Sequence, residues 1–253
     1  MKILLTLSYL GSGFSGYQVQ PKCRTVQGEL NKAAKSLFGF DCDVTGCSRT
    51  DAGVHANEFC ATITDKGKDF LTTNIAEERI SAALNAHLPE DISVLSAKWV
   101  ANDFHPRYDV KYKEYVYRIC NSTSRNPFEC GRSWHIPHGN FDEKTVEKMN
   151  AAAQRFLGKH DFSAFMASGS TVESTVREVQ YAEVSKKGDI VEFRVAADGF
   201  LYNMVRIMTG TLLAVAQNKI SPDDIVNIVN SRDRRRAGMT APPDGLYLNK
   251  VIY

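Results

Sequence analysis

Residues 175–196 read TVREVQYAEVSKKGDIVEFRVA. Two runs of alternating apolar and polar residues flank Gly188-Asp189, a dipeptide that favours tight turns. The pattern predicts paired strands at 175–184 and 190–196 in an antiparallel hairpin. Such a hairpin, combined with amphipathic helices elsewhere in the chain, indicates the α+β class.

The rest of the chain repeats strands and helices in two similar halves. Apolar spacing predicts strands at 2–9, from Asp43 to a glycine-bearing loop, 59–64, 92–100, 110–119 and 246–253, and helices at 25–39, 75–87, 142–157, 203–217 and after Pro222. Asn102-Asp103 and Pro106 interrupt the pattern, so we place the seam within 101–109 and the halves at 1–105 and 106–253. We expect the α+β halves to form a largely antiparallel, extended central sheet flanked by helices, with a cleft between the halves.

The composition is that of an ordinary globular protein, and its charge neither requires nor excludes nucleic acid. The chain has 253 residues, 43% of them hydrophobic, with 31 Lys and Arg against 29 Asp and Glu. The N-terminus lacks the features of a secretory signal and no stretch is apolar enough to span a bilayer, so we expect a cytoplasmic protein without membrane association. Six scattered cysteines form no Cys-x-x-Cys pair, which favours reduced thiols over a metal site.

Residues 231–237 read SRDRRRA and contain four arginines, from Arg232 to Arg236. Such a run can neutralise RNA phosphates and release their counterions, or it can be a solvated basic turn. The sequence leaves both interpretations open.

Residues 11–16 read GSGFSG and match the G-x-G-x-x-G pattern of dinucleotide-binding enzymes. That pattern requires its last glycine to open a helix whose N-terminus receives the pyrophosphate. Here Pro21 interrupts the chain and the helical pattern begins only near Thr25. We therefore interpret the segment as a glycine-rich turn that brings its backbone close to a partner, and keep a dinucleotide oxidoreductase as a rival hypothesis.

Residues 46–57, GCSRTDAGVHAN, place two glycines and a group of polar side chains between two predicted strands. Loops of this kind carry function because backbone donors and short polar side chains can be aimed from them. Asp51 is therefore a candidate catalytic carboxylate, although an aspartate in a turn more often bonds its own backbone.

Residues 200–216, FLYNMVRIMTGTLLAVA, are apolar on nearly every face of a helix, which predicts burial, and Arg206 is their only charge. A guanidinium stays charged when buried, so it needs an acidic partner or a route to solvent. Both an ion pair in a cleft and snorkelling to the surface meet this need.

Residues 110–119, VKYKEYVYRI, place Tyr115, Tyr117 and Ile119 on one face of a strand, with Lys113 beside the tyrosines. Core packing is the ordinary role of aromatic residues in strands. A tyrosine can also stack on an extruded base.

Several longer segments occur together in one order along the chain. They are GYQ at 16–18, TVQG at 25–28, RTDAGVHA at 49–56, NAHLP at 85–89, DFHPRY at 103–108, KEYVY at 113–117, HDFSAF at 160–165, GFLYNMVR at 199–206 and APPDGL at 241–246. In these segments the chain resembles the tRNA pseudouridine synthase A (TruA) family over nearly its whole length. The loop 49–56 matches the catalytic loop of that family almost without change. Tyr17 stands where many relatives carry tryptophan and Glu114 interrupts a usually basic pair, departures that bear on RNA contacts rather than on the chemistry.

The resemblance implies a tRNA pseudouridine synthase that isomerises uridines in the anticodon stem-loop, at tRNA positions 38 to 40. It implies no metal and no cofactor, and a homodimer that acts on tRNA. By the same resemblance Asp51 is the essential carboxylate, Tyr115 contacts the target uracil and Arg206 pairs with the carboxylate. Arg49 would organise the loop or help to displace the target nucleotide. The further residues expected to bind RNA are Arg24, His55, Arg107, Lys113 and Tyr117.

The reaction breaks the C1′–N1 glycosidic bond, turns the bound uracil and joins C5 to C1′. Asp51 can attack C1′ as a nucleophile or take a proton from C2′ so that a glycal forms, and the sequence does not choose between the two. Either route requires the target base to leave the stack. A non-catalytic tRNA-binding protein of the same fold is a second rival, against which the set of Asp51, Tyr115 and Arg206 argues.

Overall fold

A computed structural model describes residues 1–169 and 172–253. This described part contains five α-helices, α1 Val26–Phe38, α2 Glu77–Asn85, α3 Glu143–Gln154, α4 Met204–Ala216 and α5 Asp224–Ser231. It also contains ten strands, β1 Lys2–Tyr9, β2 Cys42–Gly46, β3 His55–Asp65, β4 Ile92–Val100, β5 Tyr112–Cys120, β6 Trp134–His135, β7 Gly158–Asp161, β8 Val176–Lys187, β9 Ile190–Ala197 and β10 Leu246–Ile252.

Helix α1 shows how the local sequence sets the ends of an element. The Thr25 hydroxyl accepts a hydrogen bond from the Gly28 N–H at 3.2 Å and so caps the first turn. The helix ends at Gly39, whose φ of 80° lies in the left-handed region that glycine adopts at low cost. One face of the helix, which includes Val26 and Leu30, is buried in the core.

The chain divides into two compact units, unit 1 (Met1–Lys111 and Tyr247–Tyr253) and unit 2 (Tyr112–Leu246). In unit 1 the strand order is β4-β1-β3-β10, and β2 also pairs with β3. These pairings are antiparallel except for β10, which runs parallel to β3 with Tyr247 opposite His55. Alternate residues of β1 are buried, and helices α1 and α2 pack together on this unit.

Unit 2 has the strand order β5-β9-β8-β7, with β6 parallel to β5. Helix α3 packs against β8, and α4 packs against α3 and β5. The hairpin predicted at 175–196 is confirmed, because Lys187 pairs with Ile190 across a turn in which Gly188 has a φ of 58°. The α+β class and the largely antiparallel sheet are likewise confirmed.

Two short strands escaped prediction. Strand β6 has only two residues, too few for a pattern to show. Strand β7 begins at Gly158, whose φ of 98° turns the chain directly after α3, so the helix predicted at 142–157 ends at Gln154. Strand β3 also starts earlier than the predicted 59–64, at His55.

The division between the units falls after Lys111, beyond the predicted seam at 101–109, and residues 247–253 belong to unit 1 rather than to the C-terminal half. Hydrogen bonds explain this. The Tyr253 hydroxyl donates to the Pro106 carbonyl oxygen at 2.8 Å, and the Lys111 N–H donates to the Ile252 carbonyl oxygen at 2.8 Å. The terminal strand therefore holds the predicted seam within unit 1.

Candidate active site

The loop that carries Asp51 connects β2 to β3 and is fixed mainly through its backbone. The Tyr17 N–H donates to the Thr50 carbonyl oxygen at 3.1 Å, and the Val54 N–H closes a turn onto the Asp51 carbonyl oxygen at 3.2 Å. The Thr50 hydroxyl lies 2.8 Å from the Tyr9 hydroxyl in the buried interior. Asp51 itself is half-buried. These contacts hold the backbone on both sides of Asp51 in one conformation.

The glycine-rich segment 11–16 packs directly against the loop that carries Asp51. A Cβ atom on Gly11 would lie 2.0 Å from the Val54 carbonyl oxygen, and one on Gly16 would lie 2.7 Å from the Thr50 carbonyl oxygen. Gly16 also has a φ of 89°. The partner predicted for this backbone is therefore the Asp51 loop. Gly16 opens no helix, since α1 begins only at Val26, which excludes the dinucleotide fingerprint.

His55, the first residue of β3, contacts the glycine-rich segment 11–16 as well. Its side chain is fully buried, its Nδ1 accepts a hydrogen bond from the Gly11 N–H at 2.9 Å, and its ring stacks on Tyr247 at 4.5 Å between centroids. An accepting Nδ1 places the proton of the neutral ring on Nε2. The ring has no exposed surface, and its hydrogen bond fixes the Gly11 backbone beside the Asp51 loop.

The arginines predicted to contact RNA differ in their surroundings. Arg49 and Arg107 are exposed and line one cavity of about 210 Å³. The other residues that line it are Tyr17, Gln18, Gln27, Val44, Thr45, Gly46, Ser48, His105 and Tyr108. Arg24 lies outside that lining, and its guanidinium forms two hydrogen bonds with the Asp91 carboxylate, at 2.6 and 2.8 Å. Asp91 thus neutralises Arg24.

In unit 2, β5 presents Tyr115 and Tyr117 as predicted, and both are buried. The Tyr115 ring packs edge-on against Phe200 at 5.0 Å. The Tyr117 hydroxyl donates to the Pro242 carbonyl oxygen at 2.7 Å. Burial raises the pKa of Tyr117, the charge of Arg206 opposes that shift and Asp244 adds to it. Lys113, at the start of the strand, is half-buried.

Arg206 lies in the first turn of α4, most of whose other residues are buried. Its Nε donates to the Ala241 carbonyl oxygen and its Nη1 to Asn203 Oδ1, both at 2.7 Å. The Ala241 N–H in turn donates to the Arg206 carbonyl oxygen at 3.1 Å. The half-buried guanidinium is therefore fixed by hydrogen bonds within unit 2.

Residues 241–245 contact both Arg206 on α4 and Tyr117 on β5. Ala241 binds Arg206 and Pro242 binds Tyr117, while Gly245 lies so close that an added Cβ atom would be 2.7 Å from the Tyr117 ring. The structure thus brings Tyr117 and Arg206 to one loop. Sequence reasoning missed Asn203, which directly precedes α4 and lies three residues before Arg206.

Most of the arginine run is engaged within the chain. Arg232 Nε lies 3.1 Å from the Asp161 carboxylate, and Arg234 donates to the Gly238 carbonyl oxygen at 2.8 Å. Arg235 pairs with Asp233 at 2.8 Å, and this hydrogen bond lowers the pKa of Asp233 to about 2. Arg234 in particular anchors the following loop rather than facing solvent.

Residues 1–169 and 172–253 contain no cluster of three His, Cys, Asp or Glu side chains arranged to hold a metal ion. Their helices include none that is long and apolar enough to cross a membrane. The six cysteines are free thiols.

Comparison with known proteins identifies the family. The family model described as tRNA pseudouridine synthase matches residues 6–109 and 152–253. A tRNA pseudouridine synthase A of Thermoanaerobacter sp. (strain X514) is 43% identical over 252 residues, with 99% of each chain covered. Its counterpart in Acetivibrio thermocellus is also 43% identical over 252 residues, and that of Caldicellulosiruptor saccharolyticus is 39% identical over 251, again with 99% of each chain covered.

Among solved structures, a chain of a Cbf5-Nop10-Gar1 complex is a distant match, with a TM-score of 0.33 and 13% identity. The match covers 97% of this chain and 57% of that chain. The full-length matches place the chain among the isomerases that modify uridine in tRNA. It belongs to the tRNA pseudouridine synthase family. The family resemblance expected from the sequence is therefore confirmed.

Proposed function

We propose that Asp51 is the catalytic carboxylate and that the enzyme isomerises uridines 38 to 40 in the anticodon stem-loop of tRNA. The observation that carries this proposal is the Asp51 loop itself. Its sequence, residues 49–56, is the most specific part of the resemblance, and its backbone is locked against Gly11 and Gly16 by contacts that only glycine permits. Such a lock serves a side chain that must be held in one position for chemistry.

Each proposed role follows from the reaction. The target uridine leaves the stack, the C1′–N1 bond breaks, the uracil turns, C5 joins C1′ and the C5 proton departs. Asp51 either attacks C1′ or removes the C2′ proton. By the family resemblance, Tyr115 would hold the uracil and Arg206 would pair with the Asp51 carboxylate. The hydrogen bonds of Arg206 to Asn203 and Ala241 support this role, because they leave the guanidinium little freedom.

Tritium release from tRNA labelled at uracil C5 tests the assignment of Asp51. Asp51→Asn should bind tRNA with nearly wild-type affinity and release no measurable tritium. Asp69→Asn, which alters an exposed carboxylate of the same unit, is the matched control and should be fully active. Appreciable release by Asp51→Asn would remove Asp51 from the chemistry.

Two further measurements complete the proposal. Deuterium at C2′ should slow the reaction if Asp51 removes that proton and leave the rate unchanged if Asp51 attacks C1′. Mapping pseudouridine in tRNA from a strain that lacks the gene should show that positions 38 to 40 are no longer modified. Loss of pseudouridine at other positions instead would contradict the proposed target uridines.

We also propose that the enzyme is a homodimer in the cytoplasm, where its tRNA substrate is found. The support is the family resemblance. Sedimentation analysis should give the mass of two chains, and a single-chain mass would contradict the dimer.

A further inference from the structure

We infer that the cavity beside the Asp51 loop binds one nucleotide of the tRNA that flanks the target uridine, with its phosphate at Arg49 and Arg107 and its base on Tyr108. This inference rests on the proposed function and adds a substrate subsite to it. All of the residues that line the cavity belong to unit 1.

The size of the cavity favours part of a polymer over a free cofactor. Its volume of about 210 Å³ is below the roughly 300–1,000 Å³ typical of sites for drug-sized ligands. One base or one phosphate of a longer chain fits such a space, and the rest of the polymer lies outside. Ser48 and Gln18 add hydrogen-bonding groups to the wall.

The charge of the cavity selects a phosphate. Arg49 and Arg107 are exposed, and neither guanidinium has a carboxylate partner within residues 1–169 and 172–253. Arg24 of the same unit is instead neutralised by Asp91, which lies 2.6 Å away. Two unneutralised guanidinium groups on one cavity can bind a phosphate through charge-assisted hydrogen bonds and displace counterions from the RNA.

The turn 104–109 presents a rigid aromatic surface at the same cavity. Tyr108 is 74% exposed, its ring stacks on His105 at 4.2 Å, and the Arg107 guanidinium lies over the ring at 5.9 Å from its centroid. The His105 N–H donates to Asp109 at 2.9 Å, and His105 Nδ1 accepts from the Arg107 N–H at 3.1 Å. An exposed tyrosine held this firmly loses little entropy when a base stacks on it, which suits a platform for single-stranded RNA.

The position of Arg49 relates the cavity to the reaction. Arg49 precedes Asp51 by two residues in a loop whose backbone is fixed at Thr50 by Tyr17. A phosphate bound at Arg49 would therefore set the register of the RNA strand relative to Asp51. This is why we assign the cavity to a nucleotide next to the target rather than to a distant part of the tRNA.

The test is the affinity for an unmodified tRNA transcript, measured over a range of salt concentrations. Arg107→Gln should weaken binding about tenfold and reduce the slope of log affinity against log salt by about 1, because one phosphate contact is lost. Arg24→Gln, the matched control, should leave the slope unchanged because Asp91 already neutralises that charge.

Tyr108 gives an independent test of the stacked base. Tyr108→Ala should weaken binding about tenfold without changing the salt slope, and Tyr108→Phe should bind within about twofold of wild type, since stacking needs only the ring. Arg107 and Tyr108 are both exposed, so the variants at these two positions should fold normally.

Equal salt slopes for Arg107→Gln and Arg24→Gln, or equal losses for Tyr108→Ala and Tyr108→Phe, would overturn the inference. If the wild-type enzyme releases tritium while these variants bind like wild type, only the cavity assignment fails. If the wild-type enzyme forms no pseudouridine, the proposed function fails whatever the cavity binds.

Discussion

In unit 1 the loop that carries Asp51 lies against the backbone of Gly11 and Gly16, where an added Cβ atom would clash. In unit 2 Arg206 is instead held by hydrogen bonds from its guanidinium to Asn203 and Ala241. Close backbone packing fails when atoms are added, whereas a hydrogen-bonded side chain fails when its partner is removed. The two regions should therefore respond to opposite kinds of substitution.

The largest effect is expected from Gly11→Ala. The added Cβ atom would lie 2.0 Å from the Val54 carbonyl oxygen, so the Asp51 loop must move. We expect a loss of about 3 kcal/mol in the free energy of unfolding, and a fall of at least about tenfold in tritium release. Urea unfolding and the activity assay measure the two quantities.

Gly39→Ala is the control for a glycine without close neighbours. Gly39 has a φ of 80°, but no atom lies within 4 Å of an added Cβ. Gly39→Ala should therefore lose only about 1–2 kcal/mol of unfolding free energy, through backbone strain, and should keep full activity. If the two variants lose stability and activity alike, close packing is not what holds the loop.

The next largest effect is expected from Asn203→Gly, which should lower kcat/KM. Glycine keeps the left-handed backbone at this position, where φ is 60°, but removes the amide oxygen that accepts from Arg206 at 2.7 Å. A hydrogen bond to a charged group contributes about 1.5–3 kcal/mol, so kcat/KM should fall about tenfold. Asn218→Gly, also left-handed with a φ of 57° but bonded to Lys148, should leave kcat/KM unchanged. Equal rates for the two variants would show that Asn203 does not position Arg206.

A pH dependence is expected from Asp161 of unit 2. Its carboxylate accepts from the Thr175 hydroxyl at 2.6 Å and the Ser163 N–H at 3.0 Å, and it pairs with Arg232 at 3.1 Å. Burial acts to raise its pKa, but these hydrogen bonds and the charge of Arg232 prevail and lower it below 3.8. The stabilisation is therefore complete above pH 3.8 and is lost as the pH falls through the lowered pKa.

Asp161→Asn should accordingly lose about 1–2 kcal/mol of unfolding free energy at neutral pH. Its deficit relative to wild type should shrink as the pH falls below 3.8 in a series of urea titrations. A deficit that does not vary with pH would mean that the charge of Asp161 contributes nothing.

The smallest effect is expected from Tyr17→Phe, which should increase the stability of the protein. The Tyr17 hydroxyl is buried and has no hydrogen-bond partner in the described part of the chain, while its ring stacks on Phe59 at 4.4 Å. Tyr17→Phe keeps the stack and removes the unsatisfied hydroxyl, so the free energy of unfolding should rise by about 1 kcal/mol. A lower melting temperature would show that the hydroxyl is bonded after all.

Much of this molecule follows from its sequence. The alternation in residues 175–196 gave the hairpin, and apolar spacing located α1, α3 and α4 to within a few residues. Periodicity works here because burial of one face is a local property of each element. Local patterns singled out Asp51, Tyr115 and Arg206, but each residue alone has an ordinary structural explanation. Their catalytic roles were predicted only from the family resemblance, which is carried by whole motifs.

Only the tertiary structure decided what each polar residue touches. The sequence could not tell that Gly11 and Gly16 pack on the Asp51 loop, that β10 returns to unit 1, or that Asp91 neutralises Arg24 while Arg107 stays available. The reason is physical. These contacts join residues that lie far apart in the chain, so no local period records them, and the charge of a side chain becomes useful or neutral only through the neighbour that folding supplies.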